Sequence, residues 1–186
     1  MYNDRDLVDK ILNGNKAIFS VLIKKYEKLV WHIVAKMILD EDEIKDVCQE
    51  VFIKIYLNLE KFKFDSKLST WIATITYRIS LNYLKKVKKV SFSDINDQVI
   101  IDKVTSEEDP LKSMEKKDIN STVHHLLEQL PIQYRSVITM YHINEFSYQE
   151  IAEITGMPDG TVKNYLFRGR RILKDLLNKS KIFSLI

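Results

Sequence analysis

The stretch SYQEIAEITGMPDGTVKNYLFRGRR, Ser147 to Arg171, constrains this 186-residue chain more than any other. It carries start, stop and turn signals for two short helices meeting at a tight corner. Ser147 followed by Glu150 forms a capping box, so a helix is expected to begin at Tyr148. Ile151 and Ile154 give that helix an apolar side, and Gly156 can supply the left-handed backbone that ends it. Met157-Pro158-Asp159-Gly160 reads as a turn, with Asp159 or a neighbour capping the next helix. Val162 and Leu166 pack that helix back onto the first. Lys163, Asn164, Phe167, Arg168 and Arg171 face outward. Tyr165 suits either side. A basic second helix held across a first one is the arrangement that lays a helix in the major groove of DNA.

The remainder reads as helix too. Four glycines and three prolines are too few for a chain of many turns and strands. Leu7, Ile11 and Leu12 form one stripe, broken at Gly14-Asn15. Phe19, Leu22, Ile23, Tyr26, Val30, Ile33, Val34 and Met37 then recur at steps of three and four. Asp40-Glu41-Asp42-Glu43 opens another helix, with Ile44, Val47, Cys48, Val51, Phe52, Ile55, Tyr56 and Leu59 along it. KFKFDSK, 61–67, is a loop, and 69–86 is helical again. Residues 90–118 lack this periodicity and read as a mostly extended acidic linker, with Val99-Ile100-Ile101 as a docking segment. Helix resumes near Ile119, through Leu126, Leu127 and Leu130, and again after Pro131. The fold class expected is all-α: two small helical domains, 1–89 and 119–186, joined by that linker.

Charge follows the same division. Residues 1–90 carry 17 Lys/Arg against 12 Asp/Glu, residues 91–120 carry 4 against 8, residues 121–159 carry 1 against 5, and residues 160–186 carry 7 against 1. Two basic ends flanking an acidic middle suit two nucleic-acid contacts. Cys48 is the sole cysteine, which excludes an internal disulfide, and it sits on an apolar stripe. His32, His124, His125 and His142 are scattered, and no phosphate loop or nucleophile motif occurs, so neither enzyme, cofactor nor metal is expected. The N-terminus lacks the apolar core of a signal peptide, and no run approaches a membrane span, so a cytoplasmic protein without membrane insertion is expected.

DEDEIKDVCQEVFIKIYLNLEKF followed by STWIATITYRISLNYLKK resembles region 2 of the sigma-70 family. EQLPIQYRSVITMYHINEFSYQEIAEITGMPDGTVKNYLFRGRRIL resembles its region 4. Two such modules with only a linker between them resemble an extracytoplasmic-function (group IV) sigma factor. The resemblance implies a non-catalytic protein that binds core RNA polymerase, through the beta-prime clamp helices and the beta flap, and directs it to promoter DNA. It also allows an anti-sigma partner, and implies no small-molecule substrate. Asp46, Gln49, Glu50 and Ile53 would grip the polymerase, and the i, i+4, i+7, i+11 spacing of Asp46, Glu50, Ile53 and Leu57 puts those four on one face. Lys63, Lys67, Ser69, Thr70, Trp71, Thr74, Tyr77, Arg78, Asn82, Lys85 and Lys86 would hold the melted minus-10 strand, though Trp71 suits a core equally. Arg78 departs from the family's common Asn. Gly160, Thr161, Lys163, Asn164, Tyr165, Phe167, Arg168 and Arg171 would contact the minus-35 duplex, with Arg170 and Arg171 on its backbone. Gly169 stands where the family often has Ala. The linker would thread into the polymerase cleft or serve as a plain tether. The competing reading is a stand-alone helix-turn-helix regulator that binds duplex DNA as a dimer.

Overall fold

The computed structural model describes residues 2–88 and 125–179, and among these the ordered elements are helices with no strand. Helix α1 spans Asp4–Leu12, α2 Ile18–Ala35, α3 Glu41–Asn58 and α4 Leu68–Lys88. One 3-10 turn, Leu59–Lys61, follows α3. Residues 125–128 are helical, and α5 (Ile132–His142), α6 (Tyr148–Thr155) and α7 (Asp159–Lys179) complete the fold. The expected connector over 90–118, with Val99-Ile100-Ile101, lies outside the described residues, as does the helix start near Ile119.

Local chemistry explains the boundaries. Asn3 caps α1 by accepting from the Asp6 N–H at 2.8 Å. Asp40 caps α3 by accepting from the N–H groups of Asp42 and Glu43, each at 3.0 Å, and acids fill that first turn. Helix α2 has no side-chain cap and is held instead by burial of Leu22, Tyr26, Val30, Ile33 and Val34. Along α4, Thr74, Thr76 and Ser80 each donate a hydroxyl to the carbonyl four residues back, at 2.8–2.9 Å. Polar side chains can therefore be buried there without an orphaned hydroxyl. The α1 stripe is corrected in one place: Val8 is buried and Leu12 is half exposed.

The corner is built much as its residues demand. Ser147 Oγ accepts from the Glu150 N–H at 3.3 Å while Glu150 Oε2 accepts from the Ser147 N–H at 2.9 Å, closing the capping box. Gly156 ends α6 at φ +73°. The expected turn is shorter than Met157–Gly160. The Pro158 carbonyl already accepts from the N–H groups of Thr161 and Val162, so Asp159 and Gly160 belong to the first turn of α7. Asp159 thus supports the helix through its charge at the N-terminus rather than as the cap.

One apolar core runs through both helical groups, from Val8 on α1 to Leu176 on α7. Helix α6 lies along α4, and α5 touches α2. At the first contact Glu150 Oε1 pairs with Lys67 Nζ at 3.0 Å and accepts from Thr70 Oγ1 at 3.3 Å. Partial burial pulls the Glu150 carboxyl upward, but the Ser147 donors and the Lys67 ammonium outweigh it and hold the group down to about 2. At the second contact Lys36 is buried within reach of the charges of Glu128 and Arg135, and burial lowers its pKa.

Gly169 has a reason that the sequence did not disclose. It sits where α7 crosses α5, and a Cβ there would lie 2.7 Å from Ile138 Cδ1 and 3.1 Å from Tyr134 Cβ. A Cβ at Gly160, by contrast, would meet nothing within 4 Å. Gly169→Ala is expected to lower stability by about 1 kcal/mol, overpacking outweighing the gain in helix propensity. Gly160→Ala is expected to raise it by about 0.5–1 kcal/mol. Urea melts of the two variants check the opposite signs.

Candidate nucleic-acid and polymerase interfaces

Helix α7 divides cleanly by face. Val162, Leu166, Gly169, Ile172 and Leu176 are buried, and Tyr165 is half-buried edge-on to Tyr134, ring centroids 5.1 Å apart. Tyr165 thus lies on the packing side of the helix. Lys163, Asn164, Phe167 and Arg171 are exposed, Thr161 and Arg168 half-exposed. Phe167 is 68% exposed, an unusual amount for a phenylalanine. A row of rings from α5 and α6 flanks this face. Arg170 Nε donates to His142 Nε2 at 3.1 Å and its guanidinium lies 5.1 Å over Tyr141. Tyr141 stacks on Tyr148 at 5.1 Å, and Lys163 Nζ is 5.9 Å from the Tyr148 ring. His142 accepts from Arg170 as a neutral imidazole, and burial first, then Arg170, lowers its pKa. Nothing in the sequence periodicity foretold that Tyr141 and Tyr148 would hold two cations of α7.

Helix α4 is divided as well, but into three flanks. Ile72 and Thr76 are buried, and α4 packs on α2 and α3. Thr70 (0% exposed) and Tyr77 (3%) are buried, the first bonded to α6 and the second next to Tyr165 of α7. Burial first, and Tyr165 second, push the Tyr77 hydroxyl up to about 12. The remaining flank is open: Arg78, Asn82, Lys85 and Lys86 are exposed, with Trp71, Thr74 and Ile75 half-exposed. Of the loop residues, Lys63 and Lys67 are exposed and Ser69 is half-buried. Trp71 packs one side on Phe62 at 5.2 Å, and Phe62 meets Phe64 at 4.6 Å. Phe64 holds φ +62° under the Arg5 guanidinium, which lies 4.8 Å above its ring.

A cleft of about 310 Å³ opens between this flank and the end of α3. Trp71, Ile75 and Ile79 line its apolar part, and Lys54, Asn58, Lys61 and Arg78 its polar part. Three cations and no acid lining a tryptophan-walled cleft suit an unstacked base between phosphates. Sequence reasoning missed Lys54, Asn58 and Lys61, which belong to α3 and its 3-10 turn. Only the charge sign of the stretch Lys54–Lys67 hinted at them.

The outward face of α3 carries Asp46, Gln49, Glu50, Ile53 and Leu57, all exposed, with Ile53 at 50% and Leu57 at 60%. Gln49, Phe52, Ile53, Tyr56 and Leu57 join Phe19 and Ile23 of α2 around a second cleft of about 370 Å³. Phe19 meets Tyr56 edge-on at 5.0 Å. Exposed apolar groups bordered by carboxylates are a surface for a partner rather than for water.

Comparison with known proteins agrees with this two-part geometry. The family model described as Sigma-70 region 2 matches residues 22–90, and that described as Sigma-70, region 4 matches residues 121–173. The chain is 31% identical to the RNA polymerase sigma-H factor of Pseudomonas aeruginosa, covering 94% of this chain and 93% of that one. It is 30% identical to the ECF RNA polymerase sigma-E factor of Escherichia coli K12 (91% and 92% covered) and 29% identical to the ECF RNA polymerase sigma factor SigW of Bacillus subtilis (91% and 94%). Among solved structures, CnrH in complex with the cytosolic domain of CnrY shares the fold at TM-score 0.66 and 21% identity, covering 95% and 97% of the two chains. The sigma factor RpoE of Bartonella quintana, in complex with the anti-sigma factor NepR, does so at 0.64 and 20%, covering 86% and 96%. This chain belongs to the sigma-70 family, as an ECF RNA polymerase sigma factor.

Proposed function

We propose that the chain is a promoter-specificity subunit that works in the cytoplasm, brings core RNA polymerase to promoter DNA and starts transcription without catalysing a reaction itself. The observation that carries this is that one chain holds three separate outward surfaces, each matched in chemistry to a different contact. The α3 face with its apolar cleft receives the beta-prime clamp helices. The loop 61–67 and the open flank of α4 receive the melted minus-10 strand. The N-terminal half of α7 enters the major groove at minus-35, where Lys163, Asn164, Phe167 and Arg168 meet base edges and Gly160, Thr161, Arg170 and Arg171 the phosphates. The first module is taken as 1–89 and the second, which would also meet the beta flap, as 119–186. Two of the fold neighbours above were solved with CnrY and the anti-sigma factor NepR, and a partner of that kind is proposed here too. The stand-alone dimeric regulator is not favoured by the family membership.

The test is a run-off transcript with purified core enzyme, on promoters found by mapping 5′ ends after overproduction. Transcripts from core alone equal to those with the chain added would sink the reading. Within it, Lys54→Ala with Lys61→Ala is expected to weaken strand capture by roughly tenfold, each cation contributing about 0.5–1 kcal/mol. Fluorescence of 2-aminopurine in the minus-10 element reads that loss. Binding to a minus-35 duplex stays unchanged.

A further inference from the structure

We propose that Tyr141, His142 and Tyr148 are positioning residues for promoter recognition: without touching a base, they fix Lys163 and Arg170 on one edge of α7 before DNA arrives. The proposal rests on the reading above, in which α7 enters the major groove, and concerns how that helix is made ready. The two cations stand seven positions apart, which is about 10 Å along the same side of α7. Both are exposed, and among the described residues neither is paired with a carboxylate. Each is held by a ring instead. The Arg170 guanidinium lies 5.1 Å from the centre of the Tyr141 ring, and Lys163 Nζ lies 5.9 Å from that of Tyr148. The two rings stack on each other, 9° from parallel, so Tyr141 of α5 and Tyr148 of α6 form one continuous shelf beside α7. His142 closes its end. It stands edge-on to Tyr141 at 4.9 Å and accepts from Arg170 Nε at 3.1 Å.

Such a shelf suits an anionic partner better than an ion pair would. A carboxylate beside Lys163 or Arg170 would cancel the charge and compete with phosphate. A ring face steadies the cation and leaves its charge whole. The hydrogen bonds are divided in the same way. His142 takes Nε, which leaves both terminal nitrogens of Arg170 to fork toward a phosphate. Tyr148 meets one side of the Lys163 ammonium and leaves donors for a base edge. His142 can serve only as a neutral imidazole, since an imidazolium has no lone pair to offer. Burial, followed by Arg170, lowers its pKa and so favours that form. Lysine and arginine lose much rotamer freedom on binding, and ordering them beforehand removes that loss from the association. The shelf therefore adds affinity without adding charge.

The test uses the full chain assembled with core polymerase and a labelled duplex carrying the minus-35 element of a mapped promoter. Tyr141→Leu and Tyr148→Leu are each expected to weaken binding roughly two- to tenfold, the cost of ordering one long side chain, with the slope of log affinity against log salt unchanged. Arg170→Ala removes a charge and is expected to lower that slope by about 1. Tyr141→Phe and Tyr148→Phe keep the ring faces and are expected to restore binding. Both tyrosines also pack on the core, whereas His142 is exposed and can be changed at little cost to the fold. His142→Ala is expected to weaken binding roughly twofold or more, and His142→Gln, which keeps an acceptor, to restore it. Coupling separates positioning from general support of the fold. Tyr141→Leu should cost nothing further in an Arg170→Ala background, nor Tyr148→Leu in a Lys163→Ala background, whereas a weakened fold would add in full. Full additivity, or no loss from His142→Ala and the two leucine variants, overturns the proposal. If Lys163→Ala with Arg170→Ala leaves duplex binding unchanged, the placement of α7 in the groove falls first, and the proposal with it.

Discussion

Ile53→Glu combined with Leu57→Glu is expected to reduce affinity for core RNA polymerase by on the order of 100-fold or more, the loss typical of an anchor cluster at an interface. Both side chains stand half or more in solvent on α3, so the substitutions remove little buried contact. Stability should change by no more than about 0.5 kcal/mol. The charges beside them act differently. Asp46→Ala with Glu50→Ala is expected mainly to slow association and to flatten its salt dependence, because exposed carboxylates steer more than they anchor. Fluorescence anisotropy against core enzyme measures both effects, and a thermal melt of each variant confirms the fold. Equal affinity for the Ile53/Leu57 variant would remove the α3 face from the interface.

The second large effect is on the minus-35 element. Lys163→Ala with Arg168→Ala is expected to cost about 2–6 kcal/mol of duplex binding, at roughly 1–3 kcal/mol for each base contact. The slope of log affinity against log salt should also fall. Arg168 is half-buried, so a companion change that perturbs no packing is useful. Phe167 supplies it, being the most exposed of the large apolar side chains among the described residues. An exposed phenylalanine in the major groove has a natural partner in the methyl group of thymine. Phe167→Ala should weaken binding by about 1 kcal/mol or more on thymine-containing duplex, and much less when uracil replaces thymine. Identical losses on the two duplexes would show that the ring meets no methyl group.

What the sequence made legible was whatever depends on near neighbours. The capping box of Ser147 and Glu150, the αL glycine at 156, the acids opening α3 and the buried stripes of α2 and α3 all follow from residues within one or two turns. The outward residues of α7 were legible for the same reason, since one period of 3.6 decides which side chains are left over. What stayed hidden depends on residues far apart in the chain. Helix α4 is legible as a helix, but not that it is covered on two sides, because α6 arrives from 80 positions away. Thr70 and Tyr77 are therefore buried although their spacing suits an open flank. The cleft beside Trp71 needs Lys54 and Lys61 from another helix and a turn, and no local pattern joins them. The polar run Gln133, Arg135, Ser136 and Thr139 is buried on α5, where a periodicity argument would place such residues outward.

The crossing at Gly169 has a consequence for descent. Where α7 meets α5 a methyl group at 169 would crowd Ile138 and Tyr134, so the cost of mutation at one locus depends on the other. A lineage that acquires a methyl group at 169 gains most where Ile138 is shorter or turned aside and Tyr134 can give by a few tenths of an ångström. Ancestors and cousins should accordingly display the two positions as a coupled pair, bulk gained at one offset by bulk surrendered at its counterpart.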